Sequence, residues 1–173
     1  MSDVRAGSSP PPPRVEPGPG QESVWDYPRP PRVEPSRRRV RVEFAGTLVA
    51  ESDRALRVLE TAGAPVYYVP PEDIRTDLFE PSHHETFCEW KGTATYHHLR
   101  SEEKLSRNAA WTYRSPLPGY EQLTGYVAFY PGRVDAAYLG DERVRPQPGR
   151  YYGGWITDDI VGPFKGEAGT EGW

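Results

Sequence analysis

Thr86-Phe87-Cys88-Glu89-Trp90-Lys91-Gly92 is the most informative stretch of the chain. It opens a run from Thr86 to Leu99 rich in threonine and aromatic residues, the composition of a strand. On a regular strand Thr86, Cys88 and Trp90 share one face, while Glu89 and Lys91 share the other. The thiol and the ammonium can then serve one site only where Gly92 bends the strand. A glycine inside a strand pattern marks such a bend or bulge.

The flanking sequence is also β in character. Val40, Val42 and Phe44 alternate with Arg41 and Glu43, Ala45-Gly46 supplies a turn, and Thr47 to Ala50 returns. Residues 52–60 fit either a helix capped by Ser52 or a strand in which Leu56, Val58 and Glu60 alternate. The strand Val66-Tyr67-Tyr68-Val69 follows turn residues 61–65, so a hairpin accounts for both flanks and favours the strand. Pro70-Pro71-Glu72-Asp73 opens a loop running to about Glu85, with one helical turn at Glu72 to Ile74. Ser101 to Lys104 is a polar turn leading to a strand over Asn108 to Tyr113. Gly125 to Tyr130 and Arg133 to Leu139 are two further strands, separated by Pro131-Gly132. The fold class is therefore mainly β, with few or no long helices.

Composition agrees with that pattern. The 173 residues include 17 Gly and 20 Pro, too many breakers for a helix-rich domain. The 11 Tyr and 5 Trp suit half-buried sheet surfaces and aromatic-lined pockets. A net charge of −4 argues against general nucleic-acid binding; the basic run Arg37-Arg38-Arg39 precedes a strand and reads as a solvated face. With Cys88 as the one cysteine, no internal disulfide is available. Residues 1–20 lack the apolar core of a secretory leader, and no stretch is apolar enough to span a membrane. A reducing cytoplasm is the expected compartment.

Four regions are expected. Residues 1–20, with Pro10 to Pro13 and Pro17-Gly18-Pro19-Gly20, form a disordered tail. Residues 21–38 form an extended arm that docks Trp25 and Tyr27 on the core. Residues 39–145 are the β domain. Residues 146–173, carrying Tyr151, Tyr152, Trp155, Phe164 and Trp173, pack back as an extended segment. The tetrapeptide Arg-Val-Glu-Pro at residues 14–17 and 32–35 is compositional rather than a structural repeat.

Cys88 is either a nucleophile or a small buried hydrophobe. His83-His84 and His97-His98 would gather about a turn at Lys91-Gly92. A turn at Ser101 to Lys104 would instead pair Thr95 with Ala110 and separate them. The polar sequence of the second turn favours it, so no metal site is expected, and a structural zinc cluster fails on ligand count. Two segments resemble each other: Trp90-Lys91-Gly92-Thr93-Ala94 and Phe164-Lys165-Gly166-Glu167-Ala168. Each sets an ammonium beside a glycine amide and could hold a phosphate or carboxylate, although neither matches the phosphate-loop pattern. Asp73, following Pro-Pro-Glu, is as well suited to capping as to chemistry. No Ser-His-Asp order, His-Glu-x-x-His run or dinucleotide glycine fingerprint is present, and no cofactor is expected.

Four blocks now stand in order: Val66 to Ile74, Thr86 to Tyr96, Asn108 to Tyr113 with Pro116, and Gly125 to Tyr130. Together they resemble domain-of-unknown-function family 427, and residues 22–31 and 153–166 resemble its longer form. The resemblance implies a β-tent fold, two antiparallel sheets meeting at an angle. Other β-tent families use the cleft between the sheets, some for redox chemistry on sulfur and some for caging a flat ligand with tryptophans. The family is also labelled nucleotidyltransferase-like; no paired-aspartate metal motif accompanies that label in this chain. Where the family often reads Cys-Pro-Tyr-Lys-Gly, this chain has Cys88-Glu89-Trp90-Lys91-Gly92.

The expected partner is a small molecule in a cleft, with Cys88 and Lys91 as catalytic candidates. Tyr68, Asp73, Thr86, Trp90, Trp111, Tyr113 and Trp25 are the ligand-binding candidates, Trp25 acting as a lid. The alternatives are a non-catalytic structural or interaction module, nucleotidyltransferase-like activity as the family label suggests, and redox use of Cys88, for which the chain has no resolving cysteine. No membrane partner is expected, and the residues specify no oligomeric state.

Overall fold

The computed structural model describes residues 13–173, so the expectation of disorder for residues 1–12 lies outside the described residues. Val15 N donates to Gly162 O at 3.2 Å. The arm supplies β1 (Glu22–Ser23) and β2 (Arg32–Pro35). A hairpin follows, β3 (Val40–Phe44) and β4 (Thr47–Ser52), then β5 (Leu56–Leu59) and β6 (Val66–Val69). The long strands are β7 (Phe79–Cys88), β8 (Gly92–Arg100) and β9 (Leu105–Tyr113). β10 (Val127–Phe129), β11 (Ala136–Leu139) and β12 (Glu142–Arg143) close the core. The C-terminal segment carries β13 (Arg145–Pro146), β14 (Trp155–Ile156) and β15 (Ile160–Val161). Among the described residues helix is confined to five three-residue 3-10 turns, and no helix is long and apolar enough to cross a membrane.

Two antiparallel sheets dominate. One has seven strands in the order β2-β5-β6-β10-β9-β8-β7, the other four in the order β12-β11-β3-β4. They share a core of Val40, Val42 and Phe44 against Tyr67, Val69 and Phe129. Trp155 from the C-terminal segment is fully buried in that core. Its Nε1 donates to Phe129 O at 3.0 Å and its ring lies 5.1 Å from that of Tyr67.

Residues 52–60 hold the strand β5, as the hairpin argument favours. Three expectations are corrected. The loop expected to reach Glu85 ends earlier: β7 starts at Phe79, which pairs with Leu99, stacks 5.3 Å from His97 and packs on the core. Pro81 is tolerated because β7 is an edge strand, and a register shift between Pro81 and Glu85 takes up the residues between them.

Second, Thr86 to Leu99 is not one bent strand. The chain reverses over Glu89-Trp90-Lys91, pairing Cys88 with Gly92. Gly92 takes φ +106°, a conformation that favours glycine after a tight turn.

Third, the Ser101–Lys104 turn coexists with this one instead of replacing it. A register shift between His97 and Leu99 makes Thr95 pair with Thr112 and His97 with Ala110, not Thr95 with Ala110. The histidines stay apart in role. His98 Nδ1 accepts from Asn108 N at 2.9 Å, and the His84 ring lies 4.6 Å from Tyr96. Among the described residues no three His, Cys, Asp or Glu side chains are grouped for a metal.

The arm is bound by charge as well as by strand pairing. Arg57 on β5 is 6% exposed and bridges two arm carboxylates: Nη2 to Glu22 at 3.0 Å and Nε to Glu34 at 2.7 Å. Tyr27 Oη donates to Glu22 at 2.7 Å. Burial alone would raise the Glu22 carboxyl, but the hydrogen bonds from Arg57 and Tyr27 and the charges of Arg57 and Arg37 win, leaving it below its ordinary value. A lowered carboxyl contributes stability above its unfolded pKa and loses it as pH falls through the folded one. Acid should therefore weaken arm docking below about pH 4. Arg57→Ala removes the buried cation between the two carboxylates and leaves them only the more exposed Arg37 and Arg32; it is expected to cost roughly 1.5–3 kcal/mol in urea unfolding at pH 7. A loss under about 1 kcal/mol, the range of a surface pair, would contradict this role.

Candidate functional site

Strand alternation divides the large side chains of the seven-stranded sheet between two faces. Tyr67, Val69, Ala110, Val127 and Phe129 face the four-stranded sheet. Tyr68, Trp111, Ala128 and Tyr130 belong to a second cluster on the opposite face. The cross-strand registers set Leu56, Tyr68, Ala128, Trp111 and Tyr96 in one row on that face. Within it Trp111 lies edge-on to Tyr68 at 6.2 Å, 6.2 Å from Tyr96 and 4.6 Å from Tyr130. Trp111 Nε1 donates to Tyr68 Oη at 3.3 Å. The row reaches β7, where the Thr86 and Tyr96 hydroxyls are 2.9 Å apart, and Cys88 follows two residues on.

The C-terminal segment covers this face at close range. A Cβ on Gly153 would stand 2.2 Å from Trp111 Cη2, so only glycine fits under the indole. Gln147, 4% exposed, ties the segment down: its Oε1 accepts from Ala64 N at 2.9 Å and its Nε2 donates to Lys165 O at 2.7 Å. Tyr130 Oη donates to Tyr151 O at 2.9 Å. Between sheet and cover is a cavity of about 460 Å³. It lies on the outer face of the seven-stranded sheet and not between the two sheets, where side chains form the main core.

The hairpin turn decides the chemistry of the cavity. By reversing over Glu89-Trp90-Lys91, it brings Lys91 back to Cys88 instead of setting it on the opposite face. Leu117 N donates to Lys91 O at 2.9 Å and holds the turn. Lys91 is half-buried, with Nζ 5.8 Å from the centre of the Tyr113 ring. Burial pulls the ammonium down, but Tyr68, Cys88 and Glu60 together outweigh it, so its pKa is raised and it stays protonated at neutral pH. Burial pushes the Tyr68 and Tyr113 phenols up, so both remain neutral donors. The site thus offers one cation, one thiol and several neutral hydroxyls on aromatic walls.

Seven of the nine sequence candidates line this one cavity: Cys88, Lys91, Tyr68, Thr86, Trp90, Trp111 and Tyr113. Two do not. Asp73 accepts from Ser52 Oγ at 2.5 Å and Arg54 Nη2 at 2.8 Å, contacts that hold its carboxyl low and fix the loop after β6 to β4. Trp25 is no lid: its ring lies 5.4 Å from Trp173, and its Nε1 donates to Pro163 O at 2.9 Å in a separate cluster with Val24 and Ile160. Sequence reasoning missed Tyr96, Tyr130, Glu60, Gln147, Gly153 and Lys165 as lining residues. For Lys165 a signal existed in the repeated Lys-Gly segment; for Gly153 and Gln147 there was none, because their part depends on close approach from a distant segment.

The family model described as a domain of unknown function (DUF427) matches residues 32–140. The chain belongs to that family. No curated protein matches it. The match covers β2 to β11, while Gln147, Gly153 and Lys165 lie beyond it.

Gly153→Ala should force the indole and the cover apart. The expected loss is about 1–3 kcal/mol in urea unfolding, with a changed near-ultraviolet circular dichroism signal from Trp111. An unchanged spectrum with unchanged stability would contradict the contact.

Proposed function

We propose that the chain is a small-ligand-binding protein whose cavity takes a flat, anionic molecule, held between aromatic walls with its charge on Lys91 and lying against Cys88. The two sheets sharing one core are read as a β-tent, as the family resemblance implies. Residence in a reducing cytoplasm fits a single free thiol. The observation that carries the proposal is Lys91: half-buried, positively charged and, among the described residues, in no ion pair, it sits beside Cys88 in a 460 Å³ recess walled by Tyr68, Trp111, Tyr113 and Tyr130. Buried charges are ordinarily paired, so a lone ammonium at an aromatic recess is a place for a ligand's anion. Cys88 is the one nucleophilic sulfur of the chain and lies where it would touch that ligand. It is the candidate for any covalent step.

Benzoate is a minimal probe of this chemistry. Tryptophan fluorescence should change saturably with benzoate in the millimolar range, as suits a ligand of so few atoms. Lys91→Met should weaken the effect at least tenfold, roughly the worth of a charge-assisted hydrogen bond. Saturating benzoate should also slow alkylation of Cys88 by iodoacetamide. No saturable change up to about 50 mM benzoate would sink the reading.

A further inference from the structure

The chain has three lysines, Lys91, Lys104 and Lys165, against eighteen arginines. Lys104 pairs with Asp135 at 2.6 Å on the surface. The other two both line the one aromatic cavity. They belong to the two similar Lys-Gly segments, Trp90 to Ala94 and Phe164 to Ala168, which are far apart in sequence and each contribute a lysine to its lining.

Lys165 is firmly placed. Its N donates to Ala62 O at 2.8 Å, and its O accepts from Gln147 Nε2 at 2.7 Å. Both of its own main-chain polar groups are therefore bonded to structure, which fixes where its stem begins. Its Nζ lies 5.4 Å from the centre of the Tyr152 ring, itself a lining residue. Glu60 and Glu89 also line the cavity, and neither forms an ion pair with Lys91 or Lys165 among the described residues. Glu89 is exposed at the turn. Two lysines thus line one recess from opposite segments, each with its ammonium near an aromatic ring and, among the described residues, in no ion pair with a carboxylate.

We infer that Lys165 is a second ligand-binding residue of this cavity, and that the ligand is a compact, flat molecule bearing two oxyanionic groups, one read by Lys91 and the other by Lys165. The inference rests on the ligand-binding reading of the cavity. It adds that the segment beyond the family match sets specificity: the β domain supplies Lys91 and the aromatic wall, and residues 146–165 supply the second cation. Lysine suits this task because its compact charge on a long stem can follow an oxyanion of variable geometry, where arginine would demand bidentate alignment.

The test compares benzoate with benzene-1,2-, 1,3- and 1,4-dicarboxylate by tryptophan fluorescence or calorimetry. The aromatic body is the same, and only the second anion differs. The best-placed dicarboxylate should bind about tenfold tighter than benzoate to the wild-type protein. Lys165→Met should bring the two within twofold, the dicarboxylate losing far more affinity than benzoate, and Lys165→Arg should keep part of the preference. Lys91→Met should weaken both probes. If benzoate binds but no dicarboxylate binds better, or if Lys165→Met keeps the preference, the two-anion inference fails while the cavity reading stands. If none of the four probes binds the wild-type protein, the cavity reading fails and takes this inference with it.

Discussion

The seven-stranded sheet is apolar and aromatic on both faces, and most of the structure follows from the need to cover it twice. In β6 both parities carry large side chains, Tyr67 and Val69 against Tyr68, and at β10 Val127 and Phe129 oppose Ala128 and, just past the strand, Tyr130. A sheet with one solvated face would alternate apolar with polar residues. Here the four-stranded sheet covers one face with Val40, Val42 and Phe44. The four-stranded sheet does not reach the other face. That face receives the C-terminal segment, whose Gly153 and Gly154 admit close approach and whose Gln147 ties it down. A segment is a poorer cover than a sheet, and the gap it leaves is the cavity.

That constraint also bears on the arm and the C-terminal segment, both of which pair with the rest of the domain. The arm pairs through β1 with β15 in parallel, and through β2 with β5 as the edge of the large sheet. Arg57 then fixes two arm carboxylates at the same edge. The buried indole of Trp155 serves the main core, so the segment that roofs the cavity is anchored at one end in the apolar interior. Cover and core are therefore coupled, and loosening one should loosen the other.

Much of this was legible in the sequence. Period-2 alternation gave β3, the runs Val66 to Val69 and Gly125 to Tyr130 read as strands and became β6 and β10, and the turn residues around 61–65 correctly favoured a strand over a helix at Leu56 to Leu59. The family was legible because four blocks stand in order, and the matched residues 32–140 include them all. The Glu89-Trp90-Lys91 turn was hidden because it has no Asn-Gly or Asp-Gly pair and its glycine follows the loop instead of occupying it. Misplacing that turn put Lys91 on the wrong side of the sheet. Trp25 was misassigned for another reason: aromatic content says that a side chain docks, not where. Asp73 drew attention as a carboxylate beside prolines, yet Ser52 and Arg54, which use it structurally, lie about twenty residues earlier.

Direct observation of an occupant would test the cavity on the outer face most plainly. Crystals of the full chain grown with 4-bromobenzoate, measured at the bromine absorption edge, locate the halogen without reference to any assumed site. The expected result is an anomalous peak between the Trp111 row and residues 147–154, with the carboxylate on Lys91 beside Cys88. Bromine bound instead between the two sheets, or density at Lys91 without any ligand at saturating concentration, would contradict it.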